Sequence, residues 1–247
     1  MKNTRIMKKT LQRVLRDALV VIALLGLIFG GAALWNETQQ AGASDFEMPT
    51  LPGPQTESPG PGDVDFADLC RVAPEALAWI TVPETQINYP VVQWTDNQYY
   101  LNHTARHESS RYGAIFMDYR NSGEFSDFYT VFYGHNMRSG KMFGTLRQFR
   151  DAEFFERVKY GTLQTSKKTY QLQFFAFVLA DSTGEYYNNL AFVTPGEKEA
   201  FIETIKKTVG RWRDIPLGPE DHILALSTCY AATGDERILL LAKLVEQ

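Results

Sequence analysis

HILALSTC at residues 222–229, the loop YAATGDE, and RILLLAKLV at residues 237–245 decide how this chain is to be read. Each apolar run is short for a helix and is bounded by polar or turn-forming residues, so the pair reads as two strands joined by a loop containing Gly234. If they pair as an antiparallel hairpin, the loop brings Cys229, the last residue of the first run, beside Arg237, the first of the second.

Working outward, residues 85–92 (TQINYPVV), 113–119 (GAIFMDY), 128–133 (FYTVFY) and 169–179 (TYQLQFFAFVL) are also strand-like, rich in β-branched and aromatic side chains. Three stretches read as helical. Residues 65–80 carry Phe66, Leu69, Cys70, Leu77 and Ile80 near helical spacing, with Pro74 interrupting, and Cys70 is expected in the core. Residues 142–159 carry Leu146, Phe149, Phe154 and Phe155. Residues 194–210 open on Thr194-Pro195-Gly196-Glu197, a capping-box pair with proline at the first helical position, and place Phe201, Ile202, Ile205 and Val209 on a buried stripe. Short strands separated by turns, with few strand–helix–strand units, predict a mainly β fold, an antiparallel barrel or sandwich decorated by helices.

The chain has 247 residues, 44% of them apolar, which excludes a disordered protein; its two cysteines exclude a disulfide scaffold, and no CxxC pair or Cys/His cluster offers the four ligands of a structural zinc site. The net charge of -4 conceals an asymmetry. Residues 1–17 carry six Lys and Arg against Asp17, a balance of +5, so residues 18–247 carry -4 - 5 = -9. An acidic body of this kind argues against nucleic acid as a partner. Residues 18–34 have no charge and are closed by Trp35, and with the cations ahead of them they predict a single membrane anchor over 18–35, N-terminus cytoplasmic and the rest outside. Ala41-Gly42-Ala43 keeps a cleaved signal peptide as the rival reading. Residues 36–63 hold five of the eleven prolines and few apolar side chains, as suits a tether, leaving residues 64–247 as the folded domain.

Cys229, His135 and Arg237 each fall at an expected strand end. A thiol beside a guanidinium is shifted toward thiolate, and an imidazole can take and return a proton near neutrality. Together the three could perform acyl transfer: sulfur attack on a carbonyl, protonation of the leaving amine by His135, and oxyanion stabilisation by Arg237. The plainer alternatives are a buried apolar cysteine and a solvated turn histidine. His103 and His107, four residues apart in HTARHESSRYG, suggest a metal pair only if that segment is helical, and it reads as loop, so neither metal nor cofactor is expected. A Cys70–Cys229 disulfide would consume the only candidate nucleophile.

At these residues the chain resembles the sortases, and among them class B. The matching blocks are WITVPETQINYPVVQ (79–93), DNQYYLNH (96–103), YGAIFMDYRN (112–121), YGHNM (133–137) followed by MFGTL (142–146), YQLQFFA (170–176), and LSTC (226–229) followed by RILLLAKLV. The resemblance implies a closed, nominally eight-stranded β-barrel with an N-terminal helix and a helix-bearing loop ahead of the cysteine strand. It assigns catalysis to His135, Cys229 and Arg237, and substrate contact to Asn97, Leu101, Thr183, Tyr187 and Ser227. The implied reaction is cleavage of a sorting-signal peptide after Thr through a Cys thioester. The implied partners are secreted proteins bearing that signal and, as amine acceptor, a lipid-linked peptidoglycan precursor in a Gram-positive envelope. A pilin lysine as acceptor, or a non-catalytic tethered domain that binds cell-wall peptide, are the alternatives. Ala225 stands where the family's TLxTC has Thr, Asn188 where an apolar pocket residue is expected, and the loop between Cys229 and Arg237 is short for class B.

Overall fold

The computed structural model describes residues 64–208, 210–229 and 236–247, and of Cys229 the backbone alone. Among these residues nine strands join in one sheet: β1 (Ala76–Thr81), β2 (Asn88–Gln93), β3 (Ile115–Met117), β4 (Tyr129–Tyr133), β5 (Tyr160–Thr165), β6 (Thr169–Asp181), β7 (Gly210–Trp212), β8 (His222–Cys229) and β9 (Glu236–Glu246). The neighbour order is β5-β1-β2-β3-β4-β8-β9-β6-β7, and a further β5–β6 pairing closes the first eight into a barrel. The 13-residue β6 is shared, since its residues from Thr169 to Gln173 pair with β5 and Ala176 to Val178 pair with β7. Closure removes the open edges that an eight-stranded sheet would otherwise expose.

Two strand pairs depart from the antiparallel rule: β2 with β3 and β4 with β8 run parallel. The second sets the positions that matter below, because parallel neighbours deliver their C-terminal ends to one rim.

The continuous apolar character of β8 and β9 has a direct cause. Leu224, Leu226, Leu240 and Ala242 fill the barrel interior. Ile223, Ala225, Leu239 and Leu241 face outward into a second apolar layer, closed by Phe201, Ile202 and Ile205. Strands covered on both faces lose the polar alternation of a half-exposed sheet. A third cluster joins Leu69 and Ala73 of the N-terminal helical segment to Trp79, Val92 and Phe116 on the outside of β1–β3.

Among the described residues four α-helices accompany the sheet: α1 (Phe66–Val72), α2 (Ala152–Arg157), α3 (Glu185–Asn188) and α4 (Pro195–Lys207). Asp65 caps α1 by accepting from the backbone N–H groups of Ala67 and Asp68. The expected helix over 65–80 ends at Val72, because Pro74 cannot continue it, and Leu77 and Ile80 belong to β1. In so short a helix the inward positions are Leu69 and, just past its end, Ala73, so Cys70 lies exposed as a free thiol rather than in the core. The expected helix over 142–159 divides into a 3-10 segment, Gly144–Arg150, and α2, with Asp151 accepting from the N–H of Phe154 to start the second piece. Its four apolar residues are all buried as the spacing required. α4 carries the full Thr194/Glu197 capping box. Val209, expected on its stripe, lies outside the described residues, as do the anchor over 18–35 and the tether over 36–63. Among the described residues no helix is long and apolar enough to cross a membrane.

Candidate active site

Three chain ends meet at one rim of the barrel. Tyr133 of β4 and Ser227 of β8 are register partners in the parallel pair, and the Gly134 N–H continues the ladder to the Ser227 carbonyl at 3.1 Å. His135 and Cys229 are therefore each two residues beyond the same pair. On its other side β8 runs antiparallel to β9, with Cys229 opposite Arg237. The hairpin expected from the sequence is present, and its register is the one that sets these two residues side by side.

His135 and Arg237 line a common cavity of about 260 Å³. Asn97, Leu101, Tyr187 and Ser227 line it too, as do Phe116, Tyr133, Ser182 and Thr228. Thr183 does not: its hydroxyl and its N–H both bond to Asp181 Oδ1, at 2.6 and 2.7 Å, in a tight turn that presents Ser182 to the cavity instead. The same carboxylate lies below its ordinary pKa, held there by the Thr183 hydrogen bonds and by the nearby Arg237 charge. Asn188, in the place of an expected apolar residue, is exposed and its side-chain amide bonds to the Thr183 carbonyl at 2.8 Å, closing that turn.

The imidazole of His135 is oriented by backbone. Its Nε2 lies 2.7 Å from the Leu101 carbonyl, which can only accept, so Nε2 carries a proton and Nδ1 is the nitrogen left for chemistry. The adjacent Gly134 is required by packing: a Cβ there would stand 2.5 Å from Ile115 Cδ1 and 2.8 Å from Phe143 Cδ2. This close approach, rather than a sharp change of chain direction, explains the glycine beside the histidine.

The cavity walls are tied together. Tyr187 and Ser227 share a 2.8 Å hydroxyl–hydroxyl hydrogen bond, and the Tyr133 and Tyr187 rings stack at 6.3 Å between centroids. The Asn97 amide is fixed at both ends, its oxygen accepting from the Tyr119 N–H at 3.0 Å and its nitrogen donating to Asp118 at 2.9 Å. Tyr133 and Asp118 went unnoticed in the sequence. Outward-facing Tyr133 could have been found by counting alternation along β4, and Asp118 from an acid two residues before Arg120 at the end of an apolar strand.

His103 and His107 are engaged elsewhere. His107 bonds through Nε2 to Glu75 at 2.8 Å and through Nδ1 to the Tyr99 hydroxyl at 3.0 Å, while His103 Nδ1 donates to the Tyr99 carbonyl and stacks on its ring. Among the described residues no group of three or more His, Cys, Asp or Glu is placed to hold a metal ion.

Comparison with known proteins agrees with this architecture. The sortase domain family matches residues 80–245. The sortase B of Listeria monocytogenes is 33% identical over 183 residues, covering 73% of this chain and 74% of that protein. Among solved structures, a Staphylococcus aureus sortase B–substrate complex superposes with a TM-score of 0.69 at 30% identity, over 73% of this chain and 84% of that one. A Streptococcus pyogenes class B sortase involved in pilus biogenesis gives 0.67 at 33%, over 74% and 98%. With an eight-stranded barrel carrying one added strand and a cavity at the rim where β4 and β8 end and β9 begins, the chain belongs to the sortase family, as a class B cysteine transpeptidase.

Proposed function

We propose that this sortase cleaves a sorting-signal peptide after Thr, using Cys229 as nucleophile, His135 as general acid and base, and Arg237 as oxyanion partner. It then transfers the acyl group to an amine of a lipid-linked cell-wall precursor. The observation that carries the reading is the cavity lined by both His135 and Arg237 at the rim where β8 ends on Cys229.

The steps balance without any cofactor. The Cys229 thiol gives its proton to Nδ1 of His135, the sulfur adds to the Thr carbonyl as a thiolate, and the negative charge that develops on oxygen meets the Arg237 guanidinium. Collapse breaks the C–N bond, and the leaving amine takes its proton from Nδ1 of His135, giving a thioester and a free amine. An incoming amine then adds to the thioester, gives its proton to the imidazole and expels the thiolate. One amide is consumed and one is formed, so the outcome depends on an amine arriving ahead of water. Asn97, Leu101, Tyr187 and Ser227 contact the peptide in this reading, with Ser182 taking the place expected of Thr183.

Residues 18–35 anchor the enzyme in the cell membrane, N-terminus inward, and residues 36–63 hold the catalytic domain outside, near membrane-borne proteins and precursor. Co-localisation raises the effective concentration of both partners. A pilin lysine as acceptor is the second reading, supported by the likeness to the S. pyogenes protein.

The test is mass spectrometry of the full chain incubated with a mixed library of LPxTG-like and NPxTx-like peptides. An acyl adduct on Cys229 that disappears on adding amine is expected. Hydrolysis alone in the presence of abundant amine would overturn transpeptidation, and the identity of the amine in the product separates cell wall from pilin.

A further inference from the structure

We propose that Asp118, which does not line the cavity, is the positioning residue that presets its peptide-binding wall, holding Asn97, Tyr133 and, through Arg120, Tyr187 in the arrangement that receives substrate. The inference rests on the reading of this cavity as the peptide site.

Asp118 directly follows β3, and its side chain is fully buried. Its Oδ1 accepts from the Arg120 N–H at 3.0 Å and from Arg120 Nε at 2.9 Å. Its Oδ2 accepts from Arg120 Nη2 at 2.8 Å, Asn97 Nδ2 at 2.9 Å and the Tyr133 hydroxyl at 2.9 Å. A buried carboxylate is tolerated only when paired and fully hydrogen-bonded, and these five contacts meet that condition.

The donors themselves point to a role beyond the fold. Asn97 and Tyr133 both line the cavity. Arg120 Nη2 also donates to the Tyr187 carbonyl at 3.0 Å, and Tyr187 lines the cavity and bonds to Ser227, so the carboxylate reaches a fourth lining residue through a chain of polar contacts. Three segments far apart in sequence, around residues 97, 133 and 187, are thus referred to one buried charge.

The clamp also decides what chemistry the wall offers. The Asn97 amide spends one N–H on Asp118 and its oxygen on Tyr119, so its second N–H is the one available to a peptide carbonyl. The Tyr133 hydroxyl is spent on the carboxylate, so that residue presents ring and no donor. The wall accordingly combines one oriented amide donor with two stacked aromatic rings. This suits an extended peptide that shows one carbonyl and one apolar side chain to it. Asn in place of Asp118 would exchange one acceptor for an N–H2 facing donors, and the wall would lose its reference point.

The test separates binding from chemistry. In the full chain carrying Cys229→Ala, the affinity for a fluorescein-labelled peptide of the kind wild type acylates is read by anisotropy, with and without Asp118→Asn. A rise in Kd of about tenfold is expected from losing charged hydrogen bonds that orient the wall. In parallel, with Cys70→Ala removing the exposed thiol, the rate and pH profile of Cys229 alkylation by iodoacetamide are expected to be unchanged by Asp118→Asn. Tyr133→Phe keeps the ring and removes one donor. A rise in Kd of about threefold is expected, adding little to Asp118→Asn when the two are combined, since both act through one network. If Asp118→Asn does not fold, Tyr133→Phe alone decides. An unchanged Kd, additive effects, or an alkylation rate that falls with turnover would each overturn the proposal. If wild type acylates no peptide, the reading of the cavity falls first, and this inference with it.

Discussion

The imidazole Nε2 of His135 lies 2.7 Å from the main-chain carbonyl of Leu101, so the ring is aimed by backbone rather than by a carboxylate. Among the described residues no carboxylate bonds to the ring, and the histidine can alternate between donor and acceptor at Nδ1 while Nε2 stays anchored. His135→Gln retains an N–H able to reach the Leu101 carbonyl but removes the titrating atom. Peptide turnover is expected to fall by about 10² to 10⁴, the range for general acid–base loss, with the melting temperature nearly unchanged. Steady-state kinetics beside a thermal melt checks this, and retained turnover would remove His135 from the chemistry.

Arg237→Lys keeps the charge and loses the planar fork. Turnover is expected to drop by about a hundredfold, with a stability change within about 0.5 kcal/mol, because Arg237 stands at a strand end and not in the core. Parallel losses in melting temperature and activity would make Arg237 a structural residue.

Gly134→Ala places a methyl group 2.5 Å from Ile115 and 2.8 Å from Phe143. Overpacking at a filled position costs about 1–3 kcal/mol, and the strain falls on the residue just before His135. A lower urea midpoint together with reduced turnover is expected from denaturation curves and kinetics. An unchanged midpoint would mean that the barrel end yields freely there.

Burial pushes the Asp118 carboxyl up, but the hydrogen bonds from Arg120, Asn97 and Tyr133 outweigh it and leave its pKa below the ordinary value of 3.8. A carboxylate lowered on folding contributes stability that is complete above the unfolded value and is lost as pH falls through the folded one. Urea midpoints are therefore expected to hold this contribution at neutral pH and to lose it below about pH 4. Asp118→Asn should be less stable at neutral pH and should approach wild type in acid. A constant difference across that range would show that the carboxylate is not ionised in the fold.

Much of this was legible in the sequence, for identifiable reasons. β8 and β9 announced themselves because both faces are buried, and α4 because its cap and its apolar stripe agree. The apolar residues of β1 continue the spacing of α1 across Pro74 and so read as helix, but tertiary pairing with β2 and β5 overrides that periodicity. β5, YGTLQT, was missed because Leu163 is its one aliphatic residue, and Gly161 is there for closeness: a Cβ would meet Phe174 and the Thr81 carbonyl at 2.9 Å. The cavity was half legible. Residues at the ends of recognisable strands can be placed, Asp118 among them by its position two residues before Arg120, while its tie to Asn97 and the place of Ser182 at the cavity depend on partners far along the chain.

The parallel β4–β8 pairing joins Tyr129 to Ile223 and Tyr133 to Ser227, partners separated by 94 positions along the chain. In the proposed mechanism the catalytic pair cannot assemble before both strands are made and paired. Cys229 emerges long after His135, and neither acquires the other until the cylinder shuts, so a nascent or partly unfolded chain carries no competent acylating centre that could attack passing proteins.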